Sequence, residues 1–369
     1  DFLTSAQQVE VCAQCHALKT VWRSGFGPGD DFQDFFEPVL IDSDDFYWPD
    51  GLTKKLAYPY LQFAGSVCFR KGGLTCTGCH TTHGSDRTGE LIADPRGVGL
   101  CARCHPGIAS DVRGHTHHSP SGPGVDCNGC HVPRMFRNQL VMTDHRIAVP
   151  VPENTVQLGI PNACGQDGCH ADQSAEWASA QATRLWGGYQ GERVKRARVI
   201  DRGRQKDVAV LPDLMAILEN GAEDPLLRAG VADLMGHMAK SEPISMLVEA
   251  LSDSHSVVRA QSAEALGRIG HPMALNPLVG ALSDSVFSVR IRAAFSLSVL
   301  GYAPVGDQPK QEFESALTEF QAIAEKGLLA DDPGMHVTVG QVYEFQHNYE
   351  AALQHYRYAL HFASGLADA

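Results

Sequence analysis

Hydrophobic and polar positions follow two different patterns along this chain. Through residues 1 to about 185, apolar positions show only weak periodicity, and Gly and Pro interrupt the chain often. This pattern predicts short helices joined by loops. After Trp177 the sequence becomes rich in Ala and Leu, and helical spacing dominates. The second half is therefore predicted to be regular α-helix.

A repeat with a register of 31 residues runs through the helical half. Segments 247–259 and 278–290 align without gaps, and a weaker copy reaches Arg228 in the same register. These units resemble HEAT-like repeats, in which helix pairs stack into a solenoid and each pair buries its apolar face on the next. The repeats contain no catalytic constellation.

The last sixty or so residues follow another pattern. Small and aromatic residues fall at positions typical of a tetratricopeptide repeat, namely Gly340, Tyr343, Ala352, Tyr356 and Ala359. The predicted helices cover about 335–345 and 349–362.

Cysteine and histidine recur together in the irregular half. Four motifs have the form Cys-x-x-Cys-His: Cys12/Cys15/His16, Cys76/Cys79/His80, Cys101/Cys104/His105 and Cys127/Cys130/His131. A fifth, Cys164/Cys169/His170, has two extra residues between its cysteines. Two thiols at this spacing reach the two vinyl groups of one porphyrin, and the adjacent imidazole becomes the proximal iron ligand. The motifs predict five covalently attached haem c groups.

Other cysteine chemistry fits less well. A bare Cys-x-x-Cys also suits a zinc half-site or a redox dithiol. Neither a zinc site nor a disulfide requires His after every second Cys. For Cys164 and Cys169 a disulfide is the alternative, and the His that follows argues against it.

Five further histidines precede residue 171 and are the candidates for distal ligands: His83, His115, His117, His118 and His145. A second axial His holds the iron low-spin and inert towards substrates. His83 lies three residues after a proximal ligand, so we expect it to reach a neighbouring haem. His145 is isolated from the motifs, and a surface position is its alternative.

The cluster of three histidines is ambiguous. In an extended segment, His117 and His118 point to opposite sides, and His115 shares a face with His117. We expect two ligands from these three. One haem then takes Met135, Met142 or a residue outside this chain as its distal ligand.

Composition bounds the environment. The chain has 369 residues and a net charge of −13, which ten haem propionates make more negative. Nucleic acid is not expected as a partner, because it would bind against this field. No apolar run approaches the roughly 20 residues of a membrane span. Covalent haem attachment predicts an extracytoplasmic location, in the periplasm, at the cell surface or outside the cell.

Two other features stand apart from the motifs. Eight acidic residues fall between positions 30 and 50 without a Lys or Arg, and they are Asp30, Asp31, Asp34, Glu37, Asp42, Asp44, Asp45 and Asp50. The simplest interpretation is a solvated loop, and the alternatives are a dock for a basic redox partner or a cation site. Cys68 belongs to no motif, and we expect it to be a buried small residue near the second haem.

The predicted fold class is mainly α, with a loop-rich multihaem cytochrome c domain followed by an α-solenoid. The predicted domains are 1–185 with five haems, 186–308 with HEAT-like repeats, and 309–369 with tetratricopeptide-like repeats.

Between Gly114 and Trp177 the chain reads Gly-His-Thr-His-His-Ser-Pro, then Cys-Asn-Gly-Cys-His-Val-Pro, then Asp-His-Arg-Ile-Ala-Val-Pro-Val-Pro. These segments resemble a family of exported multihaem c-type cytochromes, with a haem region like that of cytochrome c554 and multihaem nitrite reductases, fused to helical repeats. The resemblance implies haem at all five motifs and distal ligation by the extra histidines. The wider spacing of the fifth motif departs from the pattern.

Two functional hypotheses follow. The first is electron transfer along closely spaced, mostly bis-His haems, with the solenoid docking redox partner proteins or a second copy, which extends to self-association into an oligomer or a haem filament. The second is a nitrite, hydroxylamine or sulfur oxyanion reductase with one open haem. The candidates for lining such an open site are Tyr47, Tyr58, Arg70, Lys71 and Arg113, and no Cys-x-x-Cys-Lys motif marks one.

Overall fold

The structure is a computed structural model that describes residues 3–55, 58–81, 90–94, 96–119, 121–137, 140–165, 169–238, 240–326 and 333–362. The chain is mainly helical and has a HEAT-repeat region, which confirms the predicted fold class. Chain contacts divide it into two units. We name Asp1–Leu18 with Ile41–Arg202 the motif unit, and Lys19–Leu40 with Gly203–Ala369 the repeat unit. The predicted ranges 1–185, 186–308 and 309–369 stay predictions about domains.

The described helices are α1 (Ser5–His16), α2 (Tyr60–Ala64), α3 (Val67–Arg70), α4 (Pro106–Ser110), α5 (Val112–Thr116), α6 (Cys127–His131), α7 (Pro152–Leu158), α8 (Ala175–Trp186), α9 (Gly191–Arg204), α10 (Leu211–Glu219), α11 (Pro225–His237), α12 (Ile244–Ala250), α13 (Ser256–Ile269), α14 (Leu275–Ala281), α15 (Phe287–Val299), α16 (Asp307–Lys326), α17 (Pro333–Phe345) and α18 (Tyr349–Phe362). The described strands form two antiparallel hairpins, β1 (Lys19–Val21) with β2 (Phe36–Pro38), and β3 (Arg134–Arg137) with β4 (Leu140–Thr143). None of the described helices combines the length and apolar character that crossing a membrane requires.

The described buried side chains of the motif unit come from residues before 67 and after 132. Met135 and Met142 face each other across the β3–β4 hairpin, and both are buried. Met135 packs with Leu52 and Ile160. Between Val67 and Val132, which includes three of the five motifs, none of the described residues is buried. A stretch of this length normally buries apolar side chains, so its core must come from something other than its own side chains.

The repeat unit has a continuous core. Helices α11, α13 and α15 pack on one another in order, and each contacts the helix that precedes it in the chain. In α11 every residue from Leu226 to Gly236 is buried. The close approach depends on small residues, because a Cβ on Gly236 would lie 2.7 Å from the Cα of Ala265. Such stacking is the arrangement by which repeats share one core.

The 31-residue register has a structural cause in three arginines. Arg228, Arg259 and Arg290 each donate to a backbone carbonyl at or before the start of their own helix, over 2.8 to 2.9 Å. Each also binds an acidic side chain 25 to 29 residues further along the chain, with N–O distances of 2.6, 2.7 and 3.1 Å to Asp253, Asp284 and Glu319. The arginines therefore link successive repeats.

The last two helices pack as a pair, and their bounds differ from the predicted ones only at the start of α17, which begins at Pro333 instead of about 335. Ala352 and Ala359 are buried, and Gly340 lies so close to the ring of Tyr356 that a Cβ would overlap it. This packing agrees with the small and aromatic pattern of the sequence. The assignment to a tetratricopeptide repeat stays a prediction.

Residues 19–40 belong to the repeat unit although they lie between the first two motifs. We name this segment the strap. Trp22 makes edge contacts with Phe287 and Phe320, at ring-centroid separations of 6.4 and 6.3 Å. Asp34 accepts a hydrogen bond of 2.5 Å from the backbone N–H of Phe287, and Glu37 forms an ion pair with Arg292. The strap is thus held by both apolar and charged contacts.

The acidic stretch is therefore a solvated loop only in part, because Asp34, Glu37, Asp42 and Asp50 are half-buried whereas its other four acidic residues are exposed. Within the strap, Asp31 accepts from Ser256, and Asp34 and Glu37 bind the repeats as described. The remaining contacts lie within the motif unit, where Asp44 binds Lys54, Asp45 binds Lys55 and Asp50 binds Arg146. The negative charge is largely matched by groups of the chain itself.

Candidate haem sites

A backbone hydrogen bond closes the motifs. In the second and third motifs, the N–H of His80 and of His105 donates to the carbonyl of the first cysteine over 2.9 Å. The first motif forms the C-terminal end of α1, and the fourth motif forms α6. Helical geometry sets the same spacing in both. The thiols and the imidazole therefore emerge from one short turn, as attachment to one porphyrin requires.

The fifth motif keeps this closure despite its extra residues. The N–H of His170 donates to the carbonyl of Cys164 over 3.1 Å, across six residues instead of four. Cys164 lies on a 3-10 turn, Ala163–Gly165, and Cys169 is exposed. The two additional residues thus enlarge the loop without separating its first cysteine from its histidine.

In three of the five motifs the two cysteines differ in exposure, which the sequence pattern did not predict. The second cysteine of the first, third and fifth motifs is exposed, and these residues are Cys15, Cys104 and Cys169. The other seven motif cysteines are half-buried.

The position of Cys15 on its helix explains its exposure. Helix α1 buries Val9 and Ala13, which are four positions apart and therefore share one face. Cys15 follows Ala13 by two positions, so its side chain lies on the opposite side of the helix, whereas Cys12 is adjacent to the buried face. The polypeptide thus leaves the Cys15 thiol accessible to a porphyrin vinyl group without enclosing it. The role of Cys15 in haem attachment stays a prediction.

Three predicted proximal histidines each face one predicted distal histidine. His80 faces His145 with ring centroids 6.4 Å apart, His115 faces His131 at 6.1 Å, and His118 faces His170 at 6.1 Å. The ring planes of the first two pairs are nearly parallel, at 23° and 20°. Each pair joins a motif to a histidine outside it.

These separations test whether an iron fits between the rings. A metal–imidazole bond is about 2 Å long, and the ring centre lies about 1 Å behind the nitrogen, so two rings on one metal are about 6 Å apart. The three pairs match this value. Within the described residues no group of three or more His, Cys, Asp or Glu is arranged to hold a metal ion by itself. Two axial imidazoles with the four nitrogens of a porphyrin fit this donor set.

One histidine of each pair is oriented by a backbone carbonyl. The Nδ1 atoms of His145, His131 and His118 lie 3.0, 3.0 and 2.7 Å from the carbonyl oxygens of Thr143, Ala148 and Thr116. A donor bond from Nδ1 fixes the tautomer and leaves Nε2 for a metal. Burial lowers the pKa of His131 and of His145, which favours the neutral form that ligation needs.

The loop around His145 is held by charge. Arg146 forms ion pairs of 2.7 Å with both Asp50 and Asp144, and the N–H of His145 donates to Gln62 over 3.1 Å. His145 is itself half-buried. These contacts explain why an isolated histidine far from any motif reaches the second one.

The histidine cluster differs from the extended segment that we expected. Helix α5 ends at Thr116, and His117 follows in the left-handed conformation with φ 57°. The chain reverses there, so His115 and His118 reach different motifs while the ring of His117 lies 5.5 Å from that of Trp186. Asp111 caps the helix by accepting from the N–H of Gly114 over 2.9 Å. Local capping overrode the extended pattern.

Within the described ranges, the structure does not pair the other predicted iron ligands with one another. Among the contacts described, His16 and His105 have no distal imidazole facing them in a pair like the other three. His83 lies outside the described residues. Met135 and Met142, the alternative ligands, are buried in the polypeptide core.

The motifs are adjacent in their sequence order. Burial, together with the neighbouring Cys12, raises the pKa of Cys76 to about 12, and burial with neighbouring Cys127 does the same for Cys101. Helix α1 also packs on the 3-10 turn Cys76–Gly78. The first motif therefore lies beside the second, and the third beside the fourth.

Two further contacts complete the row. Arg103 of the third motif donates to the carbonyl of Gly78 in the second over 3.1 Å. Helix α6, which carries the fourth motif, packs on the turn that carries Cys164 of the fifth. The five motifs thus follow one another in space as they do in the chain.

The sequence pattern did not predict several residues that contact the histidines of this region. The ring of Trp177 lies 5.0 Å from that of His170, and Trp186 donates from Nε1 to the carbonyl of His115 over 2.7 Å. Gly124 passes directly over the His118 ring, where a Cβ would overlap it. The only signal in the sequence was the position of both tryptophans in the helix after the last motif.

Cys68 also differs from its prediction. It lies on α3, near Cys79 and Cys104, and is half-exposed instead of fully buried. The reason is local, because none of the described residues between Val67 and Val132 is buried. Its expected position near the second motif agrees with its proximity to Cys79.

Comparison with known protein families supports the two halves separately. Residues 69–110 match the family described as doubled CXXCH motif, which covers the second and third motifs. Residues 211–298 match the family described as HEAT repeats. No curated protein matches the chain. The doubled motif indicates covalent binding of haem c and a role in electron transfer, and the HEAT match confirms a helical-repeat region.

Proposed function

We propose that this protein carries five haem c groups in one row and transfers electrons along them. The observation that carries the proposal is the facing of His80, His131 and His170 by three histidines from outside their motifs, at separations that fit one iron each. Haem c supplies reversible one-electron chemistry when it is bound.

In this proposal the chain's own residues attach the porphyrins and bind the irons. The ten motif cysteines attach the porphyrins, and the five motif histidines bind from the proximal side. His145, His115 and His118 bind from the distal side, and His83 and His117 are the remaining candidates for His16 and His105. Two axial histidines leave no open position for a substrate, which favours a carrier over a reductase.

Contacts between motifs define the order of the haems in the proposed row. The adjacency of first to second, second to third, third to fourth and fourth to fifth motif places the first and the fifth at the two ends. Electrons then enter near one of these ends and leave near the other. The location we propose is extracytoplasmic, because haem c is attached outside the cytoplasm. The redox partners and any filament of copies belong to this proposal.

A haem count and the spin states test the proposal. A pyridine haemochrome assay on the purified holoprotein is expected to give five haems, and low-temperature electron paramagnetic resonance is expected to show low-spin iron only. His145→Ala should turn one of the five haems high-spin, because its iron loses the distal ligand. His271→Ala, in the repeat unit, is the matched control and should change nothing.

Other results would contradict specific parts. A high-spin signal near one haem in five in the unmodified protein would reveal an open iron, and assays with nitrite, hydroxylamine and sulfite would then test the reductase hypothesis. A count of four that Cys164→Ala leaves unchanged would show that the fifth motif holds no haem.

A further inference from the structure

A basic helix lies beside the fifth motif in an otherwise acidic protein. Helix α9 carries six basic residues, at positions 193, 195, 196, 198, 202 and 204, and two acidic ones, Glu192 and Asp201. The whole chain has a net charge of −13. A local excess of positive charge in a negative field is a site where an anionic partner is attracted while the rest of the surface repels it.

Three of these residues form one stripe. Lys195, Arg198 and Arg202 are spaced by three and four positions, which places them on the same face of a helix, and all three are exposed. The helix is anchored by residues that are buried, among them Val194, Ala197, Val199 and Ile200. The stripe therefore stands on a rigid element of the motif unit.

The start of α9 is tied to the surroundings of Cys164. Tyr189 donates from its hydroxyl to the carbonyl of Pro150 over 2.5 Å, and Arg193 lies 5.8 Å from the centre of the Tyr189 ring. Burial, and then the nearby Cys164, raises the pKa of Tyr189 to about 12. Tyr189, just before the start of the basic helix, therefore lies near a thiol of the fifth motif.

Gln190 fixes the same helix to the elements that flank the motif. Its amide oxygen accepts from the N–H of Glu153 at the start of α7, over 3.0 Å. Its amide nitrogen donates to Thr183 on α8 over 3.0 Å. Helix α8 also carries Trp177, whose ring contacts His170. The stripe therefore has a defined position relative to the end of the row, where Cys169 is exposed.

We propose that the Lys195–Arg198–Arg202 stripe docks an acidic electron-carrier protein that exchanges electrons with the fifth haem. The inference rests on the proposed function, because it uses the fifth motif as one end of the row. In the exchange, one electron leaves the reduced cofactor of the carrier and reduces one ferric haem, and no proton or group is transferred.

A second copy of this chain fits the stripe less well. The acidic stretch of residues 30–50 is the densest negative segment of the sequence, and its carboxylates bind lysines, arginines and backbone groups of the same chain. A separate protein with carboxylates around its redox centre has no such internal competition. Charge complementarity at the stripe then sets the encounter rate.

The test measures electron transfer from a reduced plant-type [2Fe–2S] ferredoxin, an acidic carrier of low potential, to the oxidised holoprotein by stopped-flow absorbance. The variant Lys195→Gln/Arg198→Gln/Arg202→Gln is compared with a control that removes the same charge elsewhere, Lys240→Gln/Lys310→Gln/Arg357→Gln. Steering of this kind changes association rates by a factor of about 10 or more, so the stripe variant should lose at least that factor at low salt. The control should stay within about twofold, and salt should weaken the transfer in the unmodified protein.

The outcomes separate the docking surface from the haem row. If the stripe variant and the control variant transfer electrons at equal rates, whether unchanged or reduced, the docking proposal is wrong. The haem row is unaffected by that result as long as the protein contains five low-spin haems that dithionite reduces. A low haem count would instead refute the proposed function. Sedimentation that shows the stripe variant losing an oligomer, with unchanged ferredoxin rates, would identify a second copy as the occupant. If the unmodified protein floats with phosphatidylserine vesicles and the stripe variant does not, again with unchanged ferredoxin rates, the occupant is a lipid surface. Either result overturns the proposal.

Discussion

The two units of this protein are built around different kinds of core. In the repeat unit, α11 buries every residue from Leu226 to Gly236 against its neighbours. In the motif unit, none of the described residues between Val67 and Val132 is buried, and exposed apolar side chains such as Val67 and Ile108 remain. One unit is held by its own side chains, whereas the other places cysteine and histidine around a group that its polypeptide does not supply.

This difference assigns different roles to charge as well. The repeat unit uses arginines to link one repeat to the next, and two of their three partners, Asp253 and Asp284, are only 11% and 13% exposed. In the motif unit, the Arg146 ion pairs hold the loop that carries His145 in place. Charge thus stabilises the stack in one unit and positions a histidine in the other.

The largest expected effect comes from removing a haem attachment site. Cys101→Ser/Cys104→Ser should abolish protection from hydrogen exchange across residues 96–119, because this segment has no buried side chains of its own. Amides of α11, α13 and α15 should keep their protection, as measured by mass spectrometry. Cys68→Ser is the control and should preserve both. Loss of protection throughout both units would show that the repeats also depend on haem.

Removing an arginine from the repeat stack should cost less. Arg228→Ala leaves the nearly buried Asp253 without its cationic partner, and breaking such an ion pair costs about 3–5 kcal/mol. Urea unfolding of the holoprotein, followed by circular dichroism, measures the loss. Lys310→Ala removes an exposed pair with Glu314 and should cost less than about 0.5 kcal/mol. Similar costs for the two variants would contradict the role given to Arg228.

The same pair predicts a dependence on pH. Burial alone would raise the pKa of Asp253, but hydrogen bonds from Arg228 and from the N–H of His255 lower it overall. A carboxyl whose pKa is lowered by folding adds stability above its unfolded pKa, about 3.9, and that stability is lost as the pH falls through the folded value. The difference between the unmodified protein and Arg228→Ala should therefore be constant near neutral pH and shrink only in acid. A difference that shrinks near pH 6 would point to histidine instead.

Loosening the strap should have a local effect. Trp22→Ala removes the edge contacts with Phe287 and Phe320, and loss of a buried aromatic ring costs about 3 kcal/mol. Limited proteolysis should then cut within residues 19–40 while the repeats stay intact. Asp30→Asn, at an exposed strap position, should leave the cleavage pattern unchanged. If the strap of Trp22→Ala is not cut, the charged contacts alone are enough to hold it on the repeats.

The smallest effect concerns helix packing. Gly236→Ala places a methyl group against the backbone of α13, and overpacking of this kind costs about 1–3 kcal/mol. Gly280→Ala, in α14, meets nothing within 4 Å and should raise stability by up to about 1 kcal/mol. Thermal unfolding of the two variants compares them directly, and equal shifts would mean that the helices separate easily.

The sequence by itself determined the features that depend on neighbouring residues. Two cysteines and a histidine in one turn specify haem attachment, because the chemistry is completed within five to seven residues. The 31-residue register predicted the stacked helices, since a repeat that buries its face on its own copy needs no distant partner. Helices α17 and α18 were predicted with nearly the right ends for the same reason.

Only the tertiary structure decided which histidine faces which motif. His145, which follows the β3–β4 hairpin in the chain, reaches His80 through a loop held by Arg146, and His115 and His118 separate because a helix ends between them. The strap joins the repeats although its sequence resembles an acidic loop, because its carboxylates meet groups more than 200 residues away. Spacing records local chemistry, whereas the partner of a side chain depends on how distant segments pack, and no local pattern of the sequence encodes that choice.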